Sequence, residues 1–234
     1  MNNEVDVLNL MKTGSFWLPK SISNFGSDID ALFYFILGCS VVFFVGIMAV
    51  TAYFLYHFQA SKQNSYLDKK TKELTHNNTL EVLWTVLPLI LVMFIFAWGY
   101  KGYLKMAVSP ENAIEIRITG QKWLWEFVHV KTGQNEAGQG AKLVVPADYP
   151  VKLVMSSKDV LHSFFVPNLR IKRDTLPNRY TTMWFIANEE GEYPILCTEY
   201  CGDQHSEMGA ILKVVSMDEY QEYIKYSGEG DLPP

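Results

Sequence analysis

The chain has 234 residues, 49% of them hydrophobic and 19% charged, enough for one ordinary domain and a smaller attachment. Its formal charge of −5 is unevenly spread: residues 1–105 nearly balance, whereas 106–234 carry twelve Lys/Arg against eighteen Asp/Glu, a formal −6. That excludes the basic footprint of a nucleic-acid binder; it suits a basic protein partner, and equally a surface kept acidic for solubility.

In chain order, residues 1–30 read as an extracytoplasmic lead-in. From Ala31 to Tyr56 no Asp, Glu, Lys or Arg occurs. About 20 apolar residues suffice to cross the ~30 Å hydrocarbon core, so the run predicts a membrane helix at about 31–57. It starts too far along, and without a basic lead, for an ordinary signal peptide. A second charge-free run, Val82 to Tyr100, predicts another helix at about 81–104. Pro88 lies within it, which membrane helices tolerate. Tyr53, Tyr56, Trp98, Tyr100 and Tyr103 gather at run ends as interfacial anchors do. The loop between the runs holds Lys62, Lys69, Lys70 and Lys72. The positive-inside rule therefore puts it in the cytoplasm and both termini outside, with Lys101 and Lys105 snorkelling. Cys39, inside the first run, reads as a small packing residue.

After Val108 the texture changes to short β-branched and aromatic runs: AIEIRITG, WLWEFVHV, AKLVVP, YPVKLVMSS, HSFFVP, YTTMWFIA, EYPILCTEY and AILKVV. Turn residues separate them at even spacing, which predicts an antiparallel β-sandwich or barrel over 106–226. One short amphipathic helix is expected at MDEYQEYIKY, and 227–234 reads as a tail.

The chemistry concentrates in Cys197-Thr-Glu-Tyr-Cys201-Gly-Asp-Gln-His205-Ser-Glu-Met208, with a second imidazole upstream in Leu-His162-Ser-Phe-Phe-Val-Pro. Thiolate, imidazole and a soft thioether form the donor set of copper electron transfer. Two cysteines four apart allow two sulfurs to bridge two metal ions. A Cys197–Cys201 disulfide fits an extracytoplasmic loop, and a Cys₂His₂ zinc site fits the ligand count. Neither uses Met208.

The pattern C-x-E-x-C-x₃-H-x₂-M, the upstream L-H-S-F-x-V-P and the paired spans resemble subunit II of the haem–copper oxidases, the cytochrome c oxidase family, from about Phe16 to Tyr226. The resemblance implies a two-helix transmembrane hairpin followed by an all-β cupredoxin-like Greek-key domain with a dinuclear copper centre, CuA. Cys197 and Cys201 would bridge the ions, His162 and His205 would cap them, and Met208 would be a weak ligand. Glu199 would give its backbone carbonyl to copper and its side chain to an interface magnesium. Gly120-Gln-Lys-Trp123-Leu-Trp125-Glu is similar to the family's aromatic segment, making Trp123 the point that receives electrons. Leu124 stands where the family usually has Tyr. Trp125 is the weaker candidate, and plain strand packing would send both tryptophans to one face.

Further expectations follow from the same resemblance. Glu81 matches a carboxylate near a proton-uptake path, and equally a helix-start residue. Asp174 falls in a region that faces the catalytic subunit, and equally reads as an exposed charge. Arg170 and Arg173 would face haem propionates. The implied partners are haem-bearing subunit I, subunit III, a c-type cytochrome donor and the lipid of a bacterial inner membrane or its equivalent. The implied activity is that of an oxidoreductase complex, a proton-pumping translocase. No C-x-x-C-H occurs, so the donor haem would lie on a separate protein unless the natural chain continues past Pro234 into a fused haem domain. Two rivals stand beside this reading: a quinol-oxidising relative, which would lack the copper ligands, and a membrane-tethered copper chaperone, which would need an exchangeable site.

Overall fold

A computed structural model describes residues 14–57 and 76–225. The lysines of the connecting loop, the first residues of the lead-in and the tail at 227–234 lie outside the described residues. Two bodies emerge, residues 30–101 and a second formed by 1–29 with 102–234.

Two long helices dominate the first body: α1 is Gly26–His57 and α2 is Asn78–Ala107. At 1.5 Å per residue each runs for about 45 Å, more than the apolar core of a bilayer needs. Their apolar side chains point outward over most of the surface: Val42, Leu55, Leu87 and Ile90 are all well exposed. That inverts the pattern of a soluble helix and fits a lipid surround. Phe35 packs edge-on against Phe94, 5.6 Å between ring centres. α2 runs through Pro88 unbroken. Its start is capped twice: the Asn77 side chain accepts the Leu80 N–H at 3.1 Å, and Glu81 accepts the Asn77 N–H at 3.2 Å. Glu81 thus performs its helix-start role.

The second body is a sandwich of two five-stranded sheets. The first sheet takes the order β3–β2–β1–β5–β8, from Asn135–Gly138, Leu124–His129, Ile114–Gln121, Pro150–Ser157 and Thr181–Ile186. The second takes β4–β10–β9–β6–β7, from Lys142–Pro146, Gly209–Val215, Gly191–Cys197, His162–Val166 and Ile171–Thr175. Alternation sends Ile116, Ile118, Trp125, Phe127, Leu153 and Met155 inward from one sheet, and Leu143, Phe164, Ile195 and Leu212 inward from the other. Burying side chains of this size contributes about 1.5–3 kcal/mol each.

The sandwich is mixed rather than purely antiparallel, because β1 pairs β5 and β4 pairs β10 in parallel. Two strands also have no counterpart among the expected runs. β3 (NEAG) has no β-forming side chains and is held by backbone pairing to β2. β7 (IKRDT) exposes Lys172, Arg173 and Asp174 at a sheet edge, where charges discourage pairing with other chains. The expected short helix is α3, Met217–Lys225, with Tyr220 and Ile224 buried.

The lead-in docks on this body. Ile22 and Phe25 are buried, Ser23 bridges Ala187, and the Arg170 guanidinium donates to the Pro19 and Pro167 carbonyls at 2.6 Å each. Arg170 therefore turns inward to its own chain, away from the outward role expected of it, while Arg173 remains exposed.

Candidate metal centre

Sheet pairing explains why distant residues meet. β6 pairs β9 with Phe164 opposite Cys197, so His162 at the start of β6 lies just beyond the end of β9. The loop 198–208 then returns into β10, whose Gly209 faces Leu196. At the same end the β1–β2 turn presents Lys122 and Trp123.

Five side chains converge. Cys197 Sγ lies 3.9 Å from Cys201 Sγ and 4.0 Å from His162 Nδ1. Cys201 Sγ lies 3.4 Å from His205 Nδ1 and 3.8 Å from Met208 Sδ. The Glu199 carbonyl accepts the Cys197 thiol at 3.4 Å, while the Glu199 side chain faces solvent. A disulfide needs about 2.05 Å, so both cysteines are free thiols. His162 is fully buried, Met208 and Cys201 nearly so.

Close backbone approaches make room for the cluster. A Cβ on Gly202, whose φ is +118°, would come within 3.3 Å of the Trp123 indole. One on Gly120 would meet His162 Cδ2 at 3.1 Å. A one-turn 3₁₀ segment, His205–Glu207, returns the chain so that Met208 points inward.

Electrostatics divide the two thiols. Burial raises both. For Cys197 the bonds from His162 and from the backbone of Ser163 and Glu199 outweigh it, so its thiol falls below the ordinary range. Burial and the neighbouring Cys197 push Cys201 up. Burial pulls His162 down, yet Cys197 and Asp159 hold it above its ordinary value. Two soft sulfurs, two imidazole nitrogens, a thioether and a carbonyl on one wall fit soft-metal chemistry. The donors present therefore fit a copper pair.

Trp123 and Trp125 differ in burial and in partners. Trp125 is wholly buried, edge-on to Phe164 at 5.4 Å. Trp123 sits in the turn before β2, half-buried, and its indole N–H donates to the Cys201 carbonyl at 3.3 Å. Asp174 is exposed and accepts the Ser163 hydroxyl at 2.8 Å. The sequence reading passed over Asp159, whose carboxylate accepts the His162 Nε2–H at 2.8 Å. The signal was an acid three residues before the imidazole.

A two-span anchor bearing this sandwich defines a membrane-tethered cupredoxin-like protein. A model described as cytochrome c oxidase subunit II, transmembrane domain, matches residues 11–101, and one described as the periplasmic domain of the same subunit matches 128–215. The chain belongs to the cytochrome c oxidase subunit II family. It is similar to cytochrome c oxidase subunit 2 of Cereibacter sphaeroides, 26% identical over 97% of this chain and 84% of the relative. It is also similar to that of Zea mays, 27% identical over 83% of this chain and 80% of the relative. Among solved structures, the periplasmic domain of oxidase subunit II from Bradyrhizobium japonicum covers 51% of this chain and 96% of its own. Its identity is 24% and its TM-score 0.47. Subunit II is part of the haem–copper terminal oxidase complex, an oxidoreductase, and this chain is a two-span membrane protein with a periplasmic domain.

Proposed function

We propose that this chain is the electron-receiving subunit of its oxidase, taking electrons from a c-type cytochrome and passing them to haem in subunit I. Cys197, Cys201, His162, His205, Met208 and the Glu199 carbonyl would hold two copper ions. Once bound, that pair supplies a one-electron couple whose charge is shared between both metals. The observation that carries this reading is the convergence of two free thiols, each within 4.0 Å of an imidazole, with a buried thioether beside them.

The chain's own residues do the rest. β6 and β9 carry His162 and Cys197 on paired strands, and the loop that holds Cys201, His205 and Met208 is anchored at both ends by the β9–β10 pair, so little rearranges when charge changes. Trp125 and Phe164 wall the site with apolar surface and exclude water. Trp123 is half-exposed outward and bonded inward to Cys201, a short covalent and hydrogen-bonded path from surface to sulfur. An exchangeable chaperone site needs open donors, and burial of His162, Cys201 and Met208 argues against that. The exposed Glu199 carboxylate is the candidate magnesium ligand at the contact with subunit I, and subunit III completes the set of membrane partners. Glu81 marks the inner end of α2 as a candidate near proton uptake. The setting is a bacterial inner membrane or its equivalent.

The test is electron paramagnetic resonance on the full chain loaded with copper. The expected spectrum carries hyperfine structure from one electron shared by two copper nuclei, and Cys197→Ser abolishes it. A single-copper pattern, or one zinc bound in the assembled protein, defeats the proposal.

A further inference from the structure

We infer that Asp159 is a positioning residue, fixing His162 for ligation and tying the same site to the turn that carries Trp123. It occupies the loop between β5 and β6. Its Oδ1 accepts the His162 Nε2–H at 2.8 Å and the Val160 N–H at 2.6 Å. Its Oδ2 accepts the Lys122 N–H at 2.8 Å. One carboxylate thus holds a donor residue and the residue preceding Trp123.

The first bond selects a tautomer. A carboxylate only accepts, so Nε2 keeps the proton of the neutral ring and the lone pair falls on Nδ1. Nδ1 is the atom facing Cys197 Sγ. The ring is fully buried, so no solvent competes to set its orientation. A bond from the far nitrogen of a ligating imidazole to a carboxylate orients the ring and raises its basicity.

The second bond closes a circuit. From Lys122 the chain passes directly to Trp123, whose indole donates to the Cys201 carbonyl. His162, Asp159, the turn and Cys201 are therefore linked in series by three hydrogen bonds and one step of chain, and the Cys197 contact to His162 Nδ1 brings the path back. Moving the carboxylate shifts both the imidazole and the indole relative to the sulfurs. A mere loop brace would bond its own neighbours, as Asp159 does with Val160. It would not reach 37 residues back to another turn.

The tautomer claim stands on hydrogen-bond geometry alone, and its consequence for electron transfer rests on the copper reading above. Full-length chain in detergent, metal-free and ¹⁵N-labelled at histidine, gives the His162 tautomer from long-range proton–nitrogen couplings. The expected result is Nε2–H in the native chain. In Asp159→Asn, whose amide either donates or accepts, the expected result is a mixture. In the assembled oxidase the same variant should keep its copper and be reduced by the donor cytochrome about tenfold more slowly. Native chain carrying Nδ1–H overturns the inference whether or not the variant folds. So does a variant with unchanged tautomer and a rate within about twofold of native. Absence of the shared two-copper hyperfine in the native oxidase would instead defeat the copper reading and leave the tautomer result standing.

Discussion

Single residues decide the character of this site. Met208 is 1% exposed with its sulfur 3.8 Å from Cys201. Met208→Leu conserves volume and should cost less than about 1.5 kcal/mol of stability. Removing a weak soft donor should nonetheless move the redox potential while copper stays bound. Redox titration beside metal analysis checks this, and an unshifted potential removes Met208 from the ligand set. Trp123 is a different case, since its one polar bond goes to the Cys201 backbone. Trp123→Ala should retain full copper yet slow reduction by the donor cytochrome by at least about tenfold, read by stopped flow. Copper loss in that variant would assign Trp123 to folding instead. The five ligand candidates were legible in sequence because their donor types are rare together. Asp159 was not, because an acid in a loop has many ordinary uses and only its bonds to His162 and Lys122 separate one from another.

At the scale of elements, α3 is joined to the sandwich through His129. This imidazole on β2 is 3% exposed, bonded through Nδ1 to the Tyr220 hydroxyl at 3.0 Å and flanked by the Tyr223 ring. Burial lowers its pKa from 6.5 to about 4. The unfolded chain binds that proton near pH 6.5 and the folded chain resists it down to about 4. The unfolded state therefore holds more protons between those values, and stability falls as pH drops through the window. The loss between pH 7 and pH 5 should be roughly 2 kcal/mol. Denaturant unfolding of the native chain against His129→Phe measures it, and equal pH slopes in the two would refute the assignment. α3 itself was readable from its amphipathic pattern. β3 and β7 were not, since pairing to β2 and β6, rather than side-chain preference, makes them strands. The parallel β1–β5 and β4–β10 pairs were equally hidden, as alternation reports a buried face and says nothing of a neighbour's direction.

For the whole molecule, charge and membrane placement set how a partner arrives. Residues 106–234 carry a formal −6, and complementary fields act mainly on association rate. Reduction by a basic cytochrome should fall about tenfold or more as salt rises from roughly 50 to 200 mM, where screening shortens to under about 10 Å. A rate flat with salt would mean that this field does not steer the donor. What the sequence determined by itself was the pair of membrane spans, the β texture of the outer domain and the donor types of the residues proposed to hold copper. Those depend on local hydropathy, period and side-chain chemistry, all of which are written residue by residue. The tertiary structure alone decided that His162 meets Cys197, that the Trp123 indole reaches the Cys201 carbonyl, and that Asp159 binds both the turn and His162. Each of these depends on strand register and loop closure, which are settled by packing between segments dozens of residues apart.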